Sequence, residues 1–104
     1  MSVENTNVID FISERDDKLV LTISDHLEWD DDEHIYLLQE KINSYLAAIE
    51  SGQLYKSYPQ LSKKIIVISV VLKYLPNDDG ALFLSKVDKV LFDAGYGFEY
   101  HELI

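Results

Sequence analysis

Eight consecutive residues, Ile65-Ile66-Val67-Ile68-Ser69-Val70-Val71-Leu72, are apolar on both faces of an extended chain, broken only by Ser69. Few architectures accept such a run. Its β-branched side chains favour the pleated backbone, and eight residues cannot cross a hydrocarbon layer about 30 Å thick. A strand that is apolar on both sides sits inside a sheet, with both faces covered or with one face covered by a partner. The rest of the chain must supply neighbouring strands and a covering layer.

Those neighbours are legible on either side. Val8-Ile9-Asp10-Phe11-Ile12 reads as a short strand, and Leu19-Val20-Leu21-Thr22-Ile23-Ser24 alternates with Leu19, Leu21 and Ile23 on one face. The polar break Glu14-Arg15-Asp16-Asp17 between them predicts a hairpin, although its turn lacks glycine. Ile35, Leu38, Ile42, Tyr45 and Ile49 then recur at spacings of 3 and 4, one stripe of a helix, widened by Leu46. Asp30 or Asp31 is the expected N-cap and Gly52 the expected stop. Residues 53–62 form a connection, and 64–74 the strongest strand. Pro76-Asn77-Asp78-Asp79 ends that strand and opens a second helix, with Phe83, Val87, Val90, Leu91 and Ala94 as its apolar face. Gly95 and Gly97 stop it, and 98–103 is a last strand.

The order is ββαβαβ. The expected fold is a single α+β domain over residues 1–104, a two-layer sandwich of a four-stranded sheet with two helices on one face. Right-handed crossovers put both helices on the same side. The opposite face would then show Ile65, Val67 and Val71, with Val20 or Phe11 beside them. So much apolar surface marks an association face, and the expectation is a homo-oligomer built on Ile65, Val67 and Val71.

Charge divides the chain unevenly. Residues 1–34 hold eleven acids and two bases, a net of −9; residues 35–104 hold eight acids and seven lysines, a net of −1. The acids are densest in Asp25-His26-Leu27-Glu28-Trp29-Asp30-Asp31-Asp32-Glu33-His34, with six carboxylates. This balance favours a basic protein partner and disfavours nucleic acid and anionic membranes. A single arginine, Arg15, leaves little capacity for bidentate phosphate recognition. The chain has no cysteine, which fits a reducing cytoplasm and excludes thiolate zinc sites. Met1-Ser2-Val3-Glu4-Asn5 lacks the basic flank and apolar run of a signal peptide, so the expected location is cytoplasmic.

Motifs of catalysis are missing. Ser24, Asp25 and His26 are adjacent in sequence, which is not triad geometry. No Gly-x-Ser-x-Gly elbow occurs, and Gly95-Tyr96-Gly97 precedes a strand rather than a helix. Asp30, Asp31 and Asp32 are contiguous, without the glycine turn of a calcium loop. His26, His34 and His101 show no metal-binding spacing and are expected to face solvent. No catalytic residue, metal ligand or cofactor is therefore assigned. The candidate partner-binding residues are Asp25, Glu28, Trp29, Asp30, Asp31, Asp32 and Glu33, with the Trp29 indole as anchor. A helix N-terminus stabilised by carboxylates, with Trp29 as a lid on the core, is the plainer reading of the same stretch.

Asn7-Val8-Ile9-Asp10-Phe11, Leu21-Thr22-Ile23-Ser24-Asp25-His26-Leu27, Leu37-Leu38-Gln39-Glu40-Lys41-Ile42-Asn43 and Glu50-Ser51-Gly52-Gln53-Leu54 together resemble a family of short acidic bacterial proteins described only as a domain of unknown function. The resemblance covers most of the chain. It implies a bacterial cytosolic α+β domain and brings no functional residue with it. Three functions stay open: a non-enzymatic interaction module of the immunity or inhibitor kind, a homo-oligomeric structural domain, and a small carboxylate- or metal-dependent enzyme.

Overall fold

The computed structural model describes residues 11–29, 32–52, 56 and 65–102. Strands β1 (Phe11–Arg15), β2 (Lys18–Asp25), β3 (Ile65–Leu72) and β4 (Gly97–Glu102) form one sheet in the order β1-β2-β3-β4. Helix α1 (Asp32–Glu50) joins β2 to β3, and α2 (Asp78–Asp93) joins β3 to β4. β1 and β2 are antiparallel; β2, β3 and β4 are parallel. The α+β sandwich expected from the sequence is the fold. The first strand is described from Phe11, and residues 8–10 of the expected strand lie outside the described residues.

Local chemistry accounts for the boundaries. The hairpin closes on the pair Arg15 and Lys18. Without a glycine, Asp16 takes the positive φ of 56° that the turn demands, a conformation aspartate tolerates better than most residues. Gly52 (φ 79°) ends α1, its N–H reaching the Ile49 carbonyl at 3.1 Å. Gly95 (φ 92°) ends α2, where Gly95 N–H meets the Phe92 carbonyl at 3.0 Å and Tyr96 N–H the Leu91 carbonyl at 2.8 Å. Asn77 caps the start of α2 by accepting the Gly80 N–H at 2.8 Å.

One face of the sheet carries the core. Leu19, Leu21 and Ile23 of β2 and Ile66, Ile68, Val70 and Leu72 of β3 pack with Leu38, Ile42, Tyr45 and Ile49 of α1 and Leu84 and Leu91 of α2. The α1 stripe is as the spacing predicted. Of the expected α2 face, Leu91 is buried and Phe83 and Val87 pack against the core, but the face is rotated: Leu84 and Gly80 are buried, Val90 is 61% exposed, and Ala94 is exposed. The rotation follows from a close approach at the start of the helix. A Cβ on Gly80 would stand 2.5 Å from Trp29 Cε3, so Gly80 must face inward there and Leu84, one turn on, follows it.

The other sheet face departs from the bare surface expected. Val67 is 7% exposed and Val20 2%, while Val71 is half-buried and only Ile65, at 49%, is open. Phe11 has no described side chain. Val67 stands opposite Gly97 in the ladder, and its Cγ2 lies where a Gly97 Cβ would be 3.0 Å away. Arg15 Nη1 meets Glu99 Oε1 at 3.0 Å, and Ser69 Oγ donates to Glu99 Oε2 at 3.4 Å. An association face of Ile65, Val67 and Val71 therefore loses Val67, which is already covered within one chain. None of the described helices is long and apolar enough to cross a membrane.

The two faces of β3 should differ in cost. Ile68, fully buried under the helices, should lose about 2–5 kcal/mol of stability on Ile68→Ala. Ile65→Ala should cost about 1 kcal/mol or less. Urea unfolding followed through the single tryptophan measures both.

Candidate functional site

The acidic segment leaves the carboxyl end of β2, the edge at which parallel sheets place their ligands. Its first residue turns inward. The Asp25 side chain is fully buried, as is that of His34 in the first turn of α1, and Oδ2 lies 2.5 Å from Nε2. Asp25 Oδ1 accepts the Leu27 N–H at 3.2 Å, bending the chain as it leaves the strand. His34 Nδ1 donates to the Glu28 carbonyl at 2.9 Å.

These contacts place the protons. A carbonyl oxygen only accepts, so Nδ1 carries hydrogen. The short Nε2–Oδ2 contact then needs one proton between its atoms, either as imidazolium with carboxylate or as imidazole with carboxylic acid. The pair has no net charge in either form, which makes its burial affordable.

Trp29 extends the cluster. Its ring lies against His34, centroids 3.9 Å apart and planes at 34°. Its Nε1–H donates to the Tyr74 carbonyl at 3.0 Å, beyond the end of β3. Asn77 Nδ2 donates to the Trp29 carbonyl, so the residue that caps α2 also holds the loop. Gly80 lies directly against the indole. Four elements, β2, α1, the β3–α2 connection and α2, thus meet on Trp29 and His34.

The predicted partner-binding residues divide accordingly. Asp25 and Trp29, at 7% exposure, are interior. Glu28 and Glu33 are exposed, as is His26. Asp30 and Asp31 lie outside the described residues; Asp32 opens α1 and its side chain is not described. Of the histidines expected in solvent, His26 and His101 are exposed, but His34 is buried. The correction was within reach of the spacing, because His34 precedes Leu38 by one turn and so lies on the buried stripe. Lys41 was missed for the same reason: it falls between Leu38 and Tyr45 on that stripe and is buried, with Nζ 5.6 Å from the Tyr45 ring. The Tyr45 hydroxyl donates to the Thr22 carbonyl at 2.8 Å. Gly80 was signalled by its position, since a glycine in a helix's first turn often marks a close approach.

Chemically the cluster is a clasp. Both imidazole nitrogens are engaged, which leaves His34 no lone pair with which to take a proton or ligate an ion. Among the described residues, no group of three or more His, Asp or Glu could hold a metal ion. Elsewhere, a cleft of about 260 Å³ runs between α1 and α2, lined chiefly by Ile42, Leu46, Phe83, Val87 and Val90.

The protein is thus a small α+β fold in which the buried pair Asp25 and His34 holds a loop. It belongs to the family of unknown function DUF6572, which residues 1–103 match. No curated protein and no solved structure matches the chain.

Asp25→Ala leaves His34 Nε2 buried without its partner and should cost about 3–5 kcal/mol. Asp25→Asn should cost only about 1–2 kcal/mol, since the amide can donate to Nε2 while its oxygen still accepts from Leu27. Denaturant titration of the two variants measures the difference. Gly80→Ala should cost about 1–3 kcal/mol through overpacking against the indole, visible as a lowered midpoint and a shifted Trp29 emission.

Proposed function

We propose that this protein is a non-catalytic interaction module that engages a basic protein through its acidic segment, residues 25–34, in the manner of an immunity-type inhibitor. The observation that carries this reading is the division of labour within the segment. Asp25, Trp29 and His34 bind the loop to the domain, while Glu28 and Glu33 stay exposed. A loop held in one conformation before binding loses less entropy when a partner arrives. The net of −9 over residues 1–34 supplies the long-range field that speeds encounter with a cationic surface. Trp29 acts here as the loop's internal support and not as the anchor that inserts into a partner.

The test must separate this surface from bulk charge. Glu28→Lys with Glu33→Lys alters the segment; Glu50→Lys with Asp93→Lys makes the same change in net charge at two exposed helix ends. Immobilised wild-type protein should retain a basic protein from its own cell extract. Retention should fall as salt rises, should be lost in the first double variant and should persist in the second. Equal retention by both variants, or retention indifferent to salt, overturns the reading.

A further inference from the structure

β4 is an edge strand. Among the described residues it pairs with β3 alone, so the backbone N–H and C=O groups of its outer side meet no strand there. Soluble proteins commonly blunt such an edge with lysine, proline or a bulge. The β4 sequence, Gly-Phe-Glu-Tyr-His-Glu, has no lysine or proline, and Tyr100 is 44% exposed.

The helix above this edge is apolar on the same side. Phe83, Val87 and Val90 of α2 face α1 across the cleft. Helical geometry puts Ala81, Ser85, Asp88 and Phe92 on the opposite flank. Because α2 leads from β3 to the edge strand, that flank looks out beyond β4. Phe92 on it is 77% exposed, the highest value among the large apolar side chains described.

Pairing at β4 also keeps the densest charge apart. The acidic segment leaves the carboxyl end of β2, and antiparallel pairing at β4 points the carboxyl ends of the two sheets in opposite directions.

We propose that two copies of this chain pair antiparallel through β4, about a two-fold axis at Tyr100, to join their sheets into one of eight strands, twice the four of a single chain. The register follows from charge. A two-fold axis that keeps both helix layers on one side opposes only residues of the same face. Centred on Glu99, the pairing sets that carboxylate against itself. Centred on His101, it does the same to the imidazoles and shortens the ladder. Centred on Tyr100, it sets Glu99 of each chain, held on its inner side by Arg15 and Ser69, opposite His101 of the other, and Tyr100 opposite Tyr100, so that no carboxylate opposes a carboxylate. The outer flanks of the two α2 helices then adjoin, and Phe92 is covered. This contact is independent of the acidic segment, which it leaves open at both ends of the dimer.

Light scattering over a dilution series should find a dimer. His101→Glu with Phe92→Asp alters two exposed side chains, so circular dichroism should be unchanged while dimerisation weakens on the order of tenfold or more. As the chain has no cysteine, Tyr100→Cys provides a unique thiol that should oxidise to a covalent dimer; Asn43→Cys, exposed on α1, should not. A monomer at every concentration overturns the proposal. So does a dimer that keeps its affinity in the double variant, or one that leaves the Tyr100→Cys chain uncrosslinked.

Discussion

A carboxyl group and an imidazole removed from water together, at the point where β2 hands the chain to α1, organise the upper edge of this molecule. Neither Asp25 nor His34 could be buried alone at tolerable cost. Together they share a proton and have no net charge. Each spends its remaining hydrogen-bonding capacity on the backbone between them, Asp25 on the Leu27 N–H and His34 on the Glu28 carbonyl. The clasp thereby holds residues 25–29 as well as joining β2 to α1. A buried pair of this kind contributes little net stability compared with a well-packed apolar pair. What it supplies is geometry: Asp25 holds the Leu27 N–H and His34 the Glu28 carbonyl.

That path delivers Trp29, and Trp29 sets the second helix. The indole rests on His34, donates to the Tyr74 carbonyl and leaves room above it only for a residue without a side chain. Gly80 fills that place, and its orientation rotates α2 so that Leu84 and Leu91 face the sheet. The same rotation turns Val90 towards solvent beside the cleft and leaves Phe92 on the outer flank. A hydrogen-bonded pair at one end of the sheet thus decides which apolar residues the far helix exposes.

Two surfaces result, and they are chemically distinct. One is acidic, rests on the clasp and lies at the carboxyl end of β2. The other combines a bare strand edge with aromatic side chains and lies at β4.

Much of this was legible in the residue order. Helix α1 was readable because Ile35 to Ile49 keep helical spacing, and β3 because its run is apolar on both faces; α2 was placed by Asn77 and Gly95. The core side of β2 followed from the alternation of Leu19, Leu21 and Ile23. Spacing along the chain determines which residues share a face of one element, and these were right. It failed at His34 and Lys41, where residue type outweighed position: both are polar, yet both fall on the buried stripe. For α2 it held at Phe83, Val87 and Leu91 and failed at Val90 and Ala94, because the rotation of the helix depends on contact with Trp29, distant in sequence. The division of charge between residues 1–34 and 35–104 belongs to the sequence alone. That β4 stands beside β3, at the far side of the sheet from β1, was decided by strand pairing. Such pairing reflects contacts between residues far apart in the chain, which no local pattern records.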